Sequence, residues 1–254
     1  MQHIDLNCDM GESFGAWTMG NDEALMQYIS SANIACGFHA GDASIMRKTA
    51  TLAMQKGVAI GAHPGFADLQ GFGRRNMALN AQEVYDICIY QIGAMLNVSK
   101  AIGAHLHHVK PHGALYNMAA KDAAMAKAIA QATKDTQEDL ILYGLSGSLL
   151  ISEAEKIGLR TASEVFADRT YQADGSLTPR TQPNAMIEDT QKAVAQVIRM
   201  VKEQTVVSTE GKIVPIKADT ICIHGDGPHA VAFAEALNEK LKTEGLIIRA
   251  VLKK

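Results

Sequence analysis

Short apolar segments alternate along the chain with longer segments whose apolar positions recur at helical spacing. The apolar segments predict strands over His3–Cys8, Ala32–Gly37, Val58–Ala62, His107–Lys110, Leu140–Tyr143, Thr161–Phe166 and Thr220–His224. The amphipathic segments predict helices over Asp22–Ser30, Ala43–Lys56, Ala81–Ala101, Ala119–Lys134, Gly147–Ile157, Ala185–Lys202 and Pro228–Thr243. A short closing strand is expected at Leu246–Val251 and a small inserted hairpin at Val206–Ile216.

Strands that are separated by helices form right-handed βαβ units, which give a mostly parallel sheet. Seven or eight such units favour a closed α/β barrel, with an open doubly wound sheet as the alternative. No linker or low-complexity tract interrupts the chain, so we expect a single α/β-barrel domain over residues 1–254.

The composition excludes several classes of function. The formal net charge is −3 and no dense run of Lys and Arg occurs, so no nucleic-acid partner is expected. No segment approaches the ~18 apolar residues of a membrane span, and the first residues lead into a polar motif instead of a secretory leader. We therefore expect no membrane contact and a cytoplasmic location. Four cysteines without a C-x-x-C pair are expected to be reduced.

Nearly every predicted strand ends in an unusually polar segment. These segments contain Asn7 and Asp9, Cys36 to His39, His63 and Pro64, Lys110 to His112, Glu164 to Arg169, and His224 to Asp226. Because the carboxyl ends of parallel strands open on the same side of a sheet, they would converge on one active-site cavity. A solvated loop explains any one of them, but surface loops have no general reason to be so rich in His, Asp and Gly.

The first two strand ends carry candidate acid–base groups. Asp5, Asn7 and Asp9 share one face of a strand, and crowding of these groups would raise the pKa of at least one carboxyl. The alternative is that backbone hydrogen bonds satisfy Asp5 and Asn7. The second end carries the imidazole of His39, followed by Asp42, which is equally well placed to cap the next helix.

The third and fourth strand ends add cations. Glycines free the backbone around Arg74, whose forked donors suit a carboxylate or phosphate, unless Arg74 simply pairs with a surface acid. Lys110 and His112 share a face, where a Lys beside other cations would have a lowered pKa and a His would shuttle protons. His105 and His107 are expected to be structural or exposed.

The last strand ends supply acids and a covering loop. Glu164, Asp168 and Arg169 lead into a turn-rich loop that is long enough to cover the cavity. His224 ends the last strand, and Asp226 follows it either as a site residue or as the cap of the next helix.

Taken together, several strings of sequence resemble the LamB/YcsF family over nearly the whole chain. They are DLNCDMGE, ANIACGFHAGD, GAHP followed by DLQGFGRR, VKPHGALYN, EVFADR followed by a DG-L-PR loop, and HGD. No single string is decisive, but their order and spacing are specific. Small departures from the family pattern occur at Ala43, Asn184 and His229, and they leave every polar strand-end residue in place.

The resemblance implies a seven-stranded parallel (β/α) barrel of the glycoside hydrolase/deacetylase type. It also implies an ATP-dependent 5-oxoprolinase, which converts 5-oxo-L-proline to L-glutamate in association with B and C subunits. ATP, accompanied by Mg²⁺, is then the expected cofactor, and no tightly bound metal is expected. No G-x-x-x-x-G-K-[ST] string occurs, so a nucleotide bound to this chain would not be held by a P-loop.

Opening a lactam requires activation of its carbonyl oxygen, which ATP supplies by phosphorylation, and delivery of water. We therefore expect a base, proton donors and an anion clamp in the cavity. The expected base is Asp9 or His39, and the expected proton donors are Lys110 and His112. Arg74 or Arg169 is expected to bind the anion. Groups that orient these residues are Glu164, Asp168, His224 and Asp226, and further substrate contacts are Asn7, Glu12 and His63.

Two other functions stay open at this point. A metal-dependent amidohydrolase or deacetylase would use Asp9, His39 and His63 as a facial metal site, since such barrels carry Asp and His ligands at strand ends. Alternatively, the chain is a noncatalytic subunit that binds the substrate or serves as a scaffold.

Overall fold

The computed structural model describes residues 2–224 and 230–253. The strands are β1 (His3–Met10), β2 (Ser31–Ala35), β3 (Ala59–His63), β4 (Leu106–Val109), β5 (Ile141–Leu145), β6 (Arg160–Phe166), β7 (Thr205–Val207), β8 (Ile213–Pro215), β9 (Thr220–Ile223) and β10 (Ile247–Ile248). The helices are α1 (Asp22–Leu25), α2 (Ala43–Lys56), α3 (Ala81–Ala101), α4 (Gly113–Ala119), α5 (Ala123–Thr136), α6 (Leu149–Lys156), α7 (Thr190–Glu203) and α8 (Ala230–Thr243).

Seven parallel strands close into a barrel. β1 to β6 pair in chain order, and β9 pairs with both β6 and β1, which joins the two edges of the sheet. At this seam Thr220 of β9 lies opposite Asp5 on one side and Glu164 on the other. β10 is shorter than the predicted closing strand and pairs in parallel with the first residues of β1. The closed barrel confirms the predicted fold class and excludes the open sheet.

The helix that was predicted over Ala119–Lys134 corresponds to α5, and α4, which precedes it, was not predicted. α4 and α5 are separated at Asp122, whose carboxylate accepts hydrogen bonds from the backbone N–H groups of Ala124 and Met125. Asp122 is therefore the N-cap of α5. Alanines continue on both sides of the break, so apolar periodicity alone does not reveal it.

Other helix boundaries differ less from the predicted ones. α1 ends at Leu25, before the predicted Ser30, and α7 begins at Thr190 because the carboxylate of Asp189 caps its first turn. The predicted hairpin is present as the antiparallel pair β7 and β8. The predicted start of the last helix at Pro228 lies outside the described residues.

The interior of the barrel contains a polar layer. The buried carboxylate of Asp5 accepts hydrogen bonds from the hydroxyls of Ser30 (2.5 Å), Ser31 (2.8 Å) and Thr220 (2.6 Å). Burial raises the pKa of Asp5, and these hydroxyls oppose that rise. Asn7 donates to the Thr220 hydroxyl at 2.7 Å. The side-chain hydrogen-bonding groups of Asp5 and Asn7 are therefore paired with other side chains and not with the backbone.

The alternate positions of β1 belong to the apolar layer between the sheet and the helices. Leu6, Cys8 and Met10 are buried in the main hydrophobic cluster, together with side chains of α2, α3 and α5. This packing holds the strands in place and so positions their ends. Within residues 2–224 and 230–253, no helix is both long and apolar enough to cross a membrane.

Candidate functional site

The carboxyl ends of the barrel strands surround one cavity of about 630 Å³. Its walls come from strands that are far apart in the sequence, because parallel strands all present their ends on the same side. The residues predicted from the sequence that line it are Asp9, His63, Arg74, Lys110, His112, Arg169 and His224.

The other predicted residues lie behind this lining, each in contact with a side chain that forms it. They are Asn7, Glu12, His39, Glu164 and Asp168. Asp226 lies outside the described residues. The strand ends therefore converge as the topology requires, but they form two layers around the cavity.

Lys110 is a buried ammonium ion between two carboxylates. Its Nζ lies 2.8 Å from Oδ1 of Asp9 and 3.0 Å from Oε1 of Glu164, and it also contacts Asn7 and the thiol of Cys222. Burial alone would lower the pKa of Lys110, but Asp9, Cys222 and Glu164 outweigh it and hold this pKa well above its usual range. The lowered pKa expected from the sequence is wrong, because carboxylates and not cations surround the ammonium.

Asp9 connects Lys110 to the neighbouring imidazoles. Its Oδ2 lies 3.3 Å from Nε2 of His63. Burial alone would raise the pKa of Asp9, but His63 and Lys110 outweigh it and hold this pKa well below its usual range. Because the side chain is 19% exposed, an ionised carboxylate faces the cavity.

Glu164 is held by Tyr116 as well as by Lys110. The Tyr116 hydroxyl donates a 2.6 Å hydrogen bond to Oε2 of Glu164. Burial, and then the charge of Glu164, raise the pKa of Tyr116 well above its usual range, so its hydroxyl stays a donor. Tyr116 was not predicted as a site residue, although it lies in the string VKPHGALYN, because it belongs to α4 and not to a strand end.

Three imidazoles and a carboxylate form a second group beside Asp9. Glu12, His39, His63 and His112 each offer one ligand atom, and these atoms all lie within 4.8 Å of one another. The rings of His39 and His112 stack with their centroids 3.7 Å apart. The four residues could hold a metal ion, and they share His39 and His63 with the metal set considered from the sequence.

Backbone carbonyls orient two of these imidazoles. Nδ1 of His63 donates to the carbonyl of Lys110 at 2.6 Å, and Nε2 of His112 donates to the carbonyl of Phe72 at 2.9 Å. A carbonyl only accepts hydrogen bonds, so both nitrogens carry a proton. The other nitrogens, Nε2 of His63 and Nδ1 of His112, face each other at 2.9 Å.

His39 is packed closely against glycine backbone. A Cβ at Gly65 would lie 2.5 Å from Nδ1 of His39, and a Cβ at Gly73, whose φ is +61°, would lie 2.7 Å from Cβ of His39. The ring is buried, and neither of its nitrogens has a hydrogen-bond partner. Burial, and then the imidazoles of His112 and His63, hold the pKa of His39 well below its usual range. His39 is therefore a neutral imidazole.

His224 and Asp168 form a separate pair at the cavity. Both carboxylate oxygens of Asp168 lie 2.8 Å from Nδ1 of His224, and Nε2 of His224 lies 2.8 Å from Nη2 of Arg180. A guanidinium only donates, so Nε2 accepts and the imidazole proton is on Nδ1. Burial alone would raise the pKa of Asp168, but His224 outweighs it and lowers this pKa.

The arginines around the cavity differ in the contacts that their guanidinium groups make. Arg169 is buried and donates to the carbonyl of Thr178 at 2.6 Å and to a second loop carbonyl at 3.2 Å. Burial lowers the pKa of Arg169 to about 10. Arg74 lines the cavity with its guanidinium 4.9 Å from the ring centroid of Phe72. Arg180 also lines the cavity. It was not predicted as a site residue, but its position in the DG-L-PR string could have identified it from the sequence.

Known proteins resemble this chain over nearly its full length. The model of the LamB/YcsF family matches residues 4–254. The chain is 60% identical to the 5-oxoprolinase A subunit of Bordetella pertussis over 247 residues, which are 97% of this chain and 98% of that protein. It is 58% identical to the 5-oxoprolinase A subunit of Bacillus subtilis over 251 residues, which are 99% of this chain and 98% of that protein.

Solved structures agree with this relationship. The lactam utilization protein of Thermus thermophilus has a TM-score of 0.94 at 46% identity, with 98% of this chain and 100% of that chain covered. The catalytic domain of a peptidoglycan N-acetylglucosamine deacetylase from Eubacterium rectale shares the fold alone, with a TM-score of 0.53 at 12% identity over 99% of this chain and 89% of that chain. The chain belongs to the LamB/YcsF family.

Proposed function

We propose that the chain is the A subunit of an ATP-dependent 5-oxoprolinase, which opens the ring of 5-oxo-L-proline to form L-glutamate. One observation carries this assignment: relatives that are named as 5-oxoprolinase A subunits share about 60% identity with the chain over nearly all of its length. The strand-end residues of the shared strings lie around one cavity, which supports a role for this chain in the chemistry.

The reaction has to overcome amide resonance in the lactam ring. Transfer of the γ-phosphoryl group of ATP to the lactam oxygen removes that resonance and releases ADP. Water then adds to the activated carbon, the C–N bond breaks, and the nitrogen takes up protons to become the amine of γ-glutamyl phosphate. A second water releases phosphate and leaves glutamate. A site for these steps needs a base, a cationic group and contacts for phosphate.

Asp9 and Lys110 are the groups best placed for the ring-opening step. Asp9 is ionised and faces the cavity, so we assign it as the base that orients and deprotonates water. Lys110 supplies the positive charge that stabilises the developing anion. His39 does not line the cavity, and Nε2 of His112 already donates its proton to the carbonyl of Phe72, so we assign neither as the main acid or base.

His224 is placed to move a proton at the phosphate side of the reaction. Its Nε2 accepts from Arg180, and Asp168 holds the opposite nitrogen as the donor. A phosphoryl group that attracts Arg180 would expose the Nε2 lone pair to water. In this assignment Asp168 orients the imidazole, which is the role predicted for it from the sequence.

Arg74, Arg180 and Lys121 line the cavity and are the contacts that we propose for the phosphoryl group. ATP, with Mg²⁺, is the proposed phosphoryl donor, and B and C subunits are the proposed partners. Since all four cysteines are unpaired thiols, the reducing cytoplasm is the compartment that we propose.

Reconstitution tests the assignment. We expect the purified chain alone to release little or no glutamate from 5-oxo-L-proline and ATP, and turnover to appear when the B and C subunits are added. Robust ATP-dependent turnover by the chain alone would overturn its assignment as a dependent subunit. Ring opening without ATP would instead favour a metal-dependent amidohydrolase, for which the group of three imidazoles and Glu12 is the supporting observation.

A further inference from the structure

We propose that Glu12, His39, His63 and His112 bind one divalent transition-metal ion beside the cavity, with Zn²⁺ as the best chemical match. Three features of these side chains point to such a site: the proton positions on two imidazoles, a buried imidazole without a partner, and the spacing of the ligand atoms. A bound metal departs from the sequence-based expectation that no metal is tightly held.

Two nitrogen lone pairs face each other in this group. The carbonyls of Lys110 and Phe72 take the proton of one nitrogen on each ring, so in the neutral imidazoles neither Nε2 of His63 nor Nδ1 of His112 carries hydrogen. These two lone pairs lie 2.9 Å apart and repel unless a cation lies between them. A metal ion bound by both nitrogens satisfies both lone pairs.

His39 supplies the second feature. It is 1% exposed, and neither ring nitrogen has a hydrogen-bond partner. Buried side-chain nitrogens are normally hydrogen-bonded, so an unpartnered imidazole in a polar group requires an explanation. Nε2 of His39 lies 3.7 Å from Oε1 of Glu12, and its ring is stacked on His112. Because an imidazole lone pair lies in the ring plane, one of the two rings has to turn out of this stack for both to bind the ion, and a metal ion shared with Glu12 then gives His39 its missing partner.

The spacing and type of the ligand atoms fit a transition metal. Tetrahedral Zn²⁺ with bonds of 2.0–2.1 Å places its ligand atoms about 3.3 Å apart. The separations are 2.9 Å from His63 to His112, 3.6 Å from His112 to Glu12 and 3.7 Å from His39 to Glu12. Three imidazole nitrogens suit Zn²⁺ better than Mg²⁺ or Ca²⁺, which prefer oxygen ligands. The carbonyls that orient the rings are the outer partners typical of metal-binding histidines.

Metal binding by the full-length chain tests this site directly. After chelator treatment and dialysis, we expect calorimetric titration to show one equivalent of Zn²⁺ bound, and Co²⁺ to give the visible absorption bands of a four-coordinate ion. His39→Ala and Glu12→Gln should weaken Zn²⁺ binding by at least about a hundredfold. His105→Ala removes an exposed imidazole outside the group and should bind Zn²⁺ like the wild type.

Thermal denaturation of each metal-free variant shows whether it is folded, and Glu12→Gln keeps the shape of the side chain if His39→Ala does not fold. A wild-type chain that binds no stoichiometric metal, or a folded variant that binds Zn²⁺ as tightly as the wild type, would overturn the site. Binding is measured without ATP or 5-oxoproline. Loss of the metal site therefore leaves the 5-oxoprolinase assignment standing, and failure of reconstituted turnover leaves the metal result standing.

Discussion

The guanidinium of Arg169 donates a 2.6 Å hydrogen bond to the backbone carbonyl of Thr178. Together with a second bond to a loop carbonyl, this buried contact ties the later part of the loop after β6 to the first residues that follow the strand. Arg180 of the same loop reaches the cavity and donates to His224. Both arginines line the cavity, but Arg169 is bound to loop carbonyls, whereas Arg180 contacts the imidazole of His224.

Substitution of these two arginines should have different effects. We expect Arg180→Ala to lower kcat/KM of the reconstituted enzyme by roughly ten- to a hundredfold, as loss of a hydrogen bond to a charged group does, without changing cleavage of the loop by protease. Arg169→Ala should increase that cleavage, because the buried carbonyl of Thr178 loses its side-chain donor and that of Ala185 keeps only the N–H of Thr170. If the loop is cleaved faster in Arg180→Ala and stays intact in Arg169→Ala, these separate roles of the two arginines are contradicted.

Lys110→Met removes the cation between Asp9 and Glu164. We expect the free energy of unfolding to fall by about 3–5 kcal/mol, because the buried carboxylate of Glu164 and the partly exposed carboxylate of Asp9 lose their counter-ion. Turnover of the reconstituted enzyme should fall by at least about a hundredfold. Urea denaturation and glutamate release measure the two effects.

A double variant separates stability from chemistry at the same position. Lys110→Met with Glu164→Gln removes one of the two uncompensated charges, so it should be more stable than the single variant and equally inactive. If the double variant is no more stable than Lys110→Met, the charge of Glu164 is not what the ammonium compensates.

Asp168→Asn should destabilise the protein in a pH-dependent way. His224 lowers the pKa of Asp168 in the folded protein, despite the opposing effect of burial. A carboxyl with a lowered folded-state pKa adds stability above its unfolded value of about 3.9 and loses that contribution as the pH falls through the folded-state pKa. We expect the wild type to have the higher Tm at pH 7, and the difference to shrink below about pH 4. A difference that is constant across this range would contradict the lowered pKa of Asp168.

Gly65→Ala tests the close packing around His39. The new Cβ would lie 2.5 Å from Nδ1 of His39, so the ring has to move, at a cost of about 1–3 kcal/mol in the free energy of unfolding. Zn²⁺ binding by the folded variant should weaken as well. Gly93→Ala in α3 is the matched control, because a Cβ there meets nothing within 4 Å and alanine favours a helix. Equal stability of the two variants would show that His39 is not packed as described.

The sequence by itself determined the features that depend on neighbouring residues and on chain topology. Alternation of apolar segments predicted the βαβ order, and parallel strands then required Asp9, His63 and Lys110 to meet at one end of the barrel. Asp42 caps α2 through the N–H groups of its first turn, which was one of its two predicted roles. A cap needs only residues within one helical turn, so it can be predicted locally.

Only the tertiary structure decided which groups surround each of these side chains. Lys110 was expected beside cations, but closure of the barrel places it 2.8 Å from Asp9, which is 101 residues away in the chain, and beside Glu164. Which lone pairs of His63 and His112 face each other depends on backbone carbonyls from other segments. Proton positions and pKa values depend on distances of a few ångströms and on burial, and apolar periodicity carries no information about either.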